Sequence, residues 1–171
     1  MSPVECTRST TLRGTPAQVW ALLAALDRID AWADGVDHSC YTTRTIEGVG
    51  AARRVQVGRM ALLETVTVWE PEAALAYTID GLPPLVRSVT NHWHLEPAAA
   101  GTRVSLTTTI DPGPTLRGRI GARVLRLPLG RASAKMLHGL GEWPWRGPRA
   151  QSAPAAAPAA DAAADAGGSQ G

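Results

Sequence analysis

The spacing of apolar residues along this chain changes twice, and each change marks a new kind of element. Val4 to Leu12 alternates loosely and is rich in Thr, which suits a strand. Gly14-Thr15-Pro16 then offers an N-cap followed by proline at the first helical position, where the missing N–H is no loss. Val19, Trp20, Leu22, Leu23 and Leu26 form the apolar face of the helix that starts there. Asp27 is placed to cap a second short helix carrying Ile29 and Trp32, which Asp34-Gly35 ends.

From Val36 to Asp111 the period falls to two, punctuated by Gly48-Val49-Gly50, Gly58-Arg59, Glu70-Pro71-Glu72, Gly81 to Pro84, and Pro97 to Gly101. The pattern predicts six strands, over 36–46, 51–57, 60–69, 74–80, 85–96 and 102–111. Their loops are short enough to require antiparallel neighbours. After Asp111-Pro112-Gly113-Pro114, helical spacing returns in Leu116, Ile120, Val124, Leu127, Met136, Leu137 and Leu140, interrupted around Pro128 and Gly130. One long, kinked helix is expected to close the domain, its apolar stripe on the sheet and its arginines in solvent. Strand, two short helices, six strands and long helix make an α+β, helix-grip fold. In it a curved seven-stranded antiparallel sheet wraps the last helix.

Composition bounds the rest. A chain of 171 residues with 44% apolar content supports one ordinary domain without staples. Eleven of the 25 residues from 147 to 171 are Ala, with three Pro and four Gly, so the domain is expected over 1–146 and a disordered tail over 147–171. Cys6 and Cys40 lie on separate strands in no CxxC or Cys/His pattern, which argues against a disulfide framework or zinc site and fits a reducing cytoplasm. The N-terminal stretch has no apolar h-region, and Val19 to Leu26 is too short to span a bilayer, so no stable membrane insertion is expected.

Net charge is +2, unevenly placed. Residues 1–112 hold nine Arg against twelve Asp/Glu, whereas 113–149 hold eight Arg/Lys against one Glu. Arg117, Arg119, Arg123, Arg126, Arg131 and Lys135 interleave with the last helix's apolar stripe. Aromatic interleaving and a known binding motif are both missing there, which argues against nucleic acid. A membrane surface or an acidic partner stays open.

Four stretches carry a family likeness: Thr15 to Trp20 opening the first helix, Trp32 before the second strand, Glu64 to Pro71 in mid-sheet, and Trp93 to Pro97 leading to Gly101-Thr102-Arg103-Val104. In their order and spacing, from about residue 3 to 142, the chain resembles the SRPBCC superfamily, the START and polyketide cyclase/dehydrase-like proteins. That resemblance implies a cavity between sheet and final helix, used in different members for lipid or aromatic-ligand carriage, polyketide cyclisation or aromatisation, or quinone handling. It fixes no universal catalytic residue, and no cofactor is expected.

Strand alternation then maps the cavity face. A two-residue turn at Gly58-Arg59 sets Val57 against Met60, Val55 against Leu62 and Arg53 against Glu64, on the face that also takes Val66 and Val68. The same face continues through Leu75, Tyr77 and Ile79, then Val89, Asn91, Trp93 and Leu95, then Val104, Leu106, Thr108 and Ile110. Its polar members are Arg53, Glu64, Tyr77, Arg87, Asn91 and Thr108, and each must find a partner or meet ligand.

One reading pairs Arg53 with Glu64 across strands and satisfies Tyr77, Asn91 and Thr108 structurally. The other makes Glu64 a base, with Arg87, Tyr77 or Asn91 stabilising an enolate or alkoxide. Arg53, Asn91, Thr108, Trp93 and Trp32 are the candidate ligand contacts, the two tryptophans as an aromatic platform. Trp69 falls on the outer face by the same parity. So do His92 and His94; with His38 and His138 isolated, no metal site is expected.

The expected function is therefore to bind a hydrophobic or aromatic, polyketide-like small molecule. A cofactor-independent cyclase, dehydratase or aromatase is favoured, and a non-catalytic carrier or sensor is the alternative. A module docking through its basic helix is the third.

Overall fold

The computed structural model describes residues 2–145. The expected tail over 147–171 lies outside the described residues. Seven strands run β1 (Val4–Leu12), β2 (His38–Tyr41), β3 (Ala52–Val57), β4 (Met60–Glu70), β5 (Ala74–Asp80), β6 (Ser88–Ala98) and β7 (Gly101–Asp111). Helix α1 (Pro16–Ala24) and a 3-10 segment (Leu26–Ala31) follow β1, and helix α2 (Leu116–Glu142) follows β7. The strands form one antiparallel sheet in the order β1-β7-β6-β5-β4-β3-β2, so the meander β2 to β7 is closed by β1 at the far edge. This is the α+β helix-grip arrangement that the element order implies.

Local chemistry explains the starts. Thr15 Oγ1 accepts from Gln18 N at 3.3 Å while Thr15 N donates to Gln18 Oε1 at 2.9 Å, a full capping box ahead of Pro16. Asp27 does not cap the second helix; it lies inside the 3-10 segment, whose N-cap is Ala25 without a side-chain bond. The second strand is shorter than the expected 36–46. Thr43 Oγ1 accepts from Ala52 N at 2.9 Å and donates to Thr45 O at 2.8 Å, and this local turn diverts the chain from the ladder after Tyr41.

The hairpin register holds as expected: Arg53 faces Glu64, Val55 faces Leu62 and Val57 faces Met60, with Gly58 at φ +57° in the turn. Further along β4 the parity inverts. The register against β5 slips between Val66 and Val68, so Val66 faces Tyr77 but Val68 faces Ala76 and Trp69 faces Leu75. Thr67 is the extra residue of a β-bulge, which moves every later side chain to the opposite face. Trp69 is thus turned inward, where its ring meets Trp20 of α1 edge-on at 5.1 Å, and Val68 is not on the core face.

The core collects on one face: Val55, Val66, Leu75, Tyr77, Val89, Trp93, Leu95, Val104, Leu106 and Ile110 from the strands, with Val19, Leu23, Leu26 and Ile29 over them. Helix α2 lies across β1 and β7. Its orientation corrects the sequence reading. Leu116, Ile120, Val124 and Leu127 point to solvent, and the sheet-facing positions of that half are Gly118, Gly121, Ala122 and Leu125. Small residues let the helix backbone approach so closely that a Cβ on Gly121 would meet Leu85 O and, at 2.8 Å, Leu85 Cβ.

Candidate functional site

Between the middle of α2 and strands β3 to β7 lies a cavity of about 380 Å³. Its walls are mainly apolar, including Ile29, Val36, Val55, Val57, Leu62, Ile79, Leu129 and Met136. Four polar side chains enter them: Glu64 from β4, Asn91 from β6, Thr108 from β7 and Ser133 from α2. Asp34, Arg131 and Lys135 stand at its rim. A second hollow of about 400 Å³, between α1 and Trp143–Trp145, has one charged lining residue, the exposed Arg28.

Glu64 is held from one side. Arg53, 3% exposed, donates from Nε to Glu64 Oε2 at 2.6 Å, with Nη2 also 2.6 Å from that oxygen, and from Nη1 to Leu26 O at 3.0 Å. Its guanidinium carbon sits 5.1 Å from the Tyr77 ring centroid. Burial pulls the Arg53 pKa down, but the Glu64 carboxylate and Tyr77 together outweigh it, so the group sits above its ordinary value and stays charged. Both of its contacts to Glu64 fall on Oε2. Oε1 has no partner among the described residues, and Glu64 lines the cavity.

Behind the polar wall runs a chain of side chains. Trp93 Nε1 donates to Tyr77 Oη at 3.2 Å; Asn91 Nδ2 lies 3.4 Å from the same oxygen, and Asn91 Oδ1 accepts from Thr108 Oγ1 at 2.7 Å. Thr108 Oγ1 and Ser133 Oγ are 2.9 Å apart, and Ser133 Oγ donates to Leu129 O at 3.0 Å. In this orientation Thr108 and Ser133 have two protons for three contacts, and the Tyr77 proton has no acceptor among the described residues. Turning the Asn91 amide end for end exchanges donor and acceptor at unchanged positions. Every proton then has an acceptor, in one direction from Trp93 through Tyr77, Asn91, Thr108 and Ser133 to the Leu129 carbonyl. Burial, with the Glu64 charge adding to it, pushes the Tyr77 pKa up to about 12, so its phenol keeps the proton this chain needs.

The candidate residues separate accordingly. Glu64, Asn91 and Thr108 line the cavity, Arg53 supports Glu64 from behind, and Tyr77 is buried in the core and does not line it. Arg87 is not inward. Strand β6 begins only at Ser88, beyond the Pro83-Pro84 turn, and the Arg87 side chain, 69% exposed, reaches Asp111 at 3.3 Å. Asp111 is held below the usual carboxylate range by the Gly113 N–H first, with Arg87 adding to it. Trp32 and Trp93 do not line the cavity either; their rings meet edge-on at 6.0 Å in the core, and Trp32 Nε1 is buried without a partner among the described residues. Ser133 escaped the sequence reading, although its spacing of four from Leu129 and Leu137 marks the inward face of α2.

His94 pairs with Glu96 at 3.6 Å on the exposed side of β6. Among the described residues no group of three or more His, Cys, Asp or Glu is placed to hold a metal, and no helix is long and apolar enough to cross a membrane.

Comparison with known proteins agrees with this architecture. A solution structure from Thermobifida fusca is 24% identical, with a TM-score of 0.67 over 81% of this chain and 91% of that one. The Zhui aromatase/cyclase from a Streptomyces species is 18% identical, with a TM-score of 0.65 over 81% of this chain and 91% of its own. The di-domain aromatase/cyclase StfQ of steffimycin biosynthesis is 16% identical, with a TM-score of 0.64 over 82% of this chain and 50% of its own. No curated protein matches the sequence. The family model described as polyketide cyclase/dehydrase and lipid transport matches residues 3–142. With that match spanning every strand and helix described above, the chain belongs to the polyketide cyclase/dehydrase and lipid transport family.

Proposed function

We propose that this protein holds a hydrophobic or aromatic, polyketide-like molecule between the sheet and α2, with a ligand hydroxyl donating to Glu64 Oε1. One observation carries the reading: Arg53 engages a single oxygen of Glu64 and leaves the other without a partner in a mainly apolar chamber. A ligand that fills the cavity takes water away from that oxygen, so one that supplies a donor in its place is favoured over one that does not. Arg131 and Lys135 at the rim suit a ligand with an acidic end.

A catalytic reading has its own support. A carboxylate fixed at the wall of a mainly apolar cavity is placed to take an acidic C–H or hydroxyl proton, as a cofactor-independent cyclase, dehydratase or aromatase requires. Two fold neighbours are named aromatase/cyclase. Arg87 and Tyr77 stand outside the chamber wall, however, which leaves the Asn91 amide to stabilise an enolate. Carriage or sensing therefore has the stronger geometric support.

Native mass spectrometry of the purified protein, with titration by naphthol and naphthalene, tests the proposal. The wild type should prefer naphthol by roughly tenfold, about one charge-assisted hydrogen bond, and Glu64→Gln should lose most of that preference. Equal affinity for the two probes would overturn it. Turnover of a polyketide that Glu64→Gln abolishes, with binding retained, would establish the catalytic reading instead.

A further inference from the structure

Four aliphatic side chains stand in one line on the outward face of α2: Leu116, Ile120, Val124 and Leu127, which are 69%, 55%, 59% and 61% exposed. At about 100° per residue they occupy an arc of about 80°, roughly opposite the buried Gly118, Gly121, Ala122 and Leu125. The helix cannot roll to bury them. A Cβ on Gly118 would run into Pro112 O and one on Gly121 into Leu85 O, so only glycine fits at these two positions beneath α2. Leu85, itself 44% exposed, lies against Gly121 and blocks that side of the helix. An aliphatic line of this length, fixed outward, marks an interaction surface.

Its surroundings say what kind. Arg117, Arg119, Arg123, Arg126, Arg131 and Lys135 are all exposed beside the line. No Asp or Glu occurs between Asp111 and Glu142, and none of the six cations has a carboxylate partner among the described residues. A second copy placed on this face would set six cations against six cations. An amphipathic helix with aliphatic residues on one arc and unpaired arginines around it complements an anionic lipid surface.

We propose that α2 is a peripheral docking surface for an anionic bilayer. Leu116, Ile120, Val124 and Leu127 enter the headgroup–acyl boundary and the arginines meet the phosphates. Arg131 falls within the same arc and stands at the cavity rim, so docking brings the mouth of the cavity to the lipid. The proposal does not depend on what the cavity holds or turns over.

The test is sedimentation of the full chain with vesicles of phosphatidylcholine alone and of phosphatidylcholine mixed equally with phosphatidylglycerol. Binding is expected to the mixed vesicles only. It should fall steeply towards 1 M salt, where the screening length is about 3 Å. Changing Arg117, Arg119 and Arg123 to Gln should lower partitioning by about a hundredfold, roughly fivefold for each cation. Ile120→Glu with Leu127→Glu should abolish it, with melting unchanged because both positions are exposed. Three results would each overturn the proposal: no binding of the wild type to mixed vesicles, undiminished binding of the Ile120→Glu/Leu127→Glu variant, or a dimer in solution that this variant dissolves.

Discussion

Arg53→Met removes three donors at once, two onto Glu64 Oε2 and one onto Leu26 O. Leu26 O keeps Ser39 Oγ at 2.9 Å, so the loss concentrates on Glu64, a carboxylate 6% exposed and then without any donor. Breaking a buried pair from one side costs about 3–5 kcal/mol, and the cavity beside Glu64 places this case near the lower figure. Glu64→Gln keeps an acceptor for Arg53 and should cost less, about 1–3 kcal/mol. The double variant Arg53→Met/Glu64→Gln removes both charges. Its loss should be smaller than that of Arg53→Met alone, giving a coupling of about 2–3 kcal/mol. Thermal melts at neutral pH read this directly: at about 2–4 °C per kcal/mol, Arg53→Met should lower Tm by roughly 6–12 °C and the double variant should recover about half. Strictly additive losses would refute the pairing. A Glu64→Gln variant as stable as the wild type, or more so, would also refute it and show that Glu64 is kept for its ligand at the fold's expense.

Other consequences follow from single features. The Tyr77 pKa of about 12 exceeds the free phenol's 10.0, so stability from this group is full below pH 10 and is lost as pH rises towards 12. The fall should reach about 3 kcal/mol by denaturant unfolding, and Tyr77→Phe should flatten it. Gly139→Ala should destabilise by more than 1 kcal/mol because its Cβ would meet Trp32 O, whereas Gly141→Ala meets nothing within 4 Å and should stabilise by about 0.5 kcal/mol. Arg87→Met should change Tm by less than a degree or two and leave ligand affinity intact, since Arg87 is an exposed partner of Asp111. A drop in affinity would return Arg87 to the cavity.

The register of the sheet was legible where a turn fixed it. Gly58-Arg59 allows only one pairing, so Arg53 against Glu64 and Val55 against Leu62 follow from alternation alone. Alternation failed where one residue was added or one strand began late. The bulge at Thr67 reversed Trp69 and Val68, and nothing in a Val-Thr-Val-Trp run announces it. At Arg87 the parity was right but the ladder had not yet begun. For α2 the error was of another kind. A stripe of Leu, Ile and Val reads as the buried face unless the opposite face is made of Gly and Ala, which pack by nearness of backbone and leave no apolar signal. Most of the polar wall was visible: Glu64, Asn91 and Thr108 came from strand parity, while Ser133 needed the helix's true orientation.

The closure of the sheet by β1 also sets a timetable. Val4 to Leu12 pair with Ile110 to Thr102, and Thr7 meets Thr107 from 100 residues away. At a synthesis rate of about 5–20 residues per second, β1 leaves the ribosome roughly 5–20 s before its partner exists. Its composition suits the wait. Glu5, Thr7, Arg8, Ser9 and Thr11 are exposed even in the finished sheet, so the waiting strand offers no long apolar run to a neighbouring nascent chain. Strand β6 has no such protection, because Val89, Asn91, Trp93 and Leu95 are all buried once β7 has paired beside it. A ribosome stalled after β6 has emerged but before β7 follows therefore leaves the edge of β6 uncovered, at a stage of synthesis where delay exposes this chain.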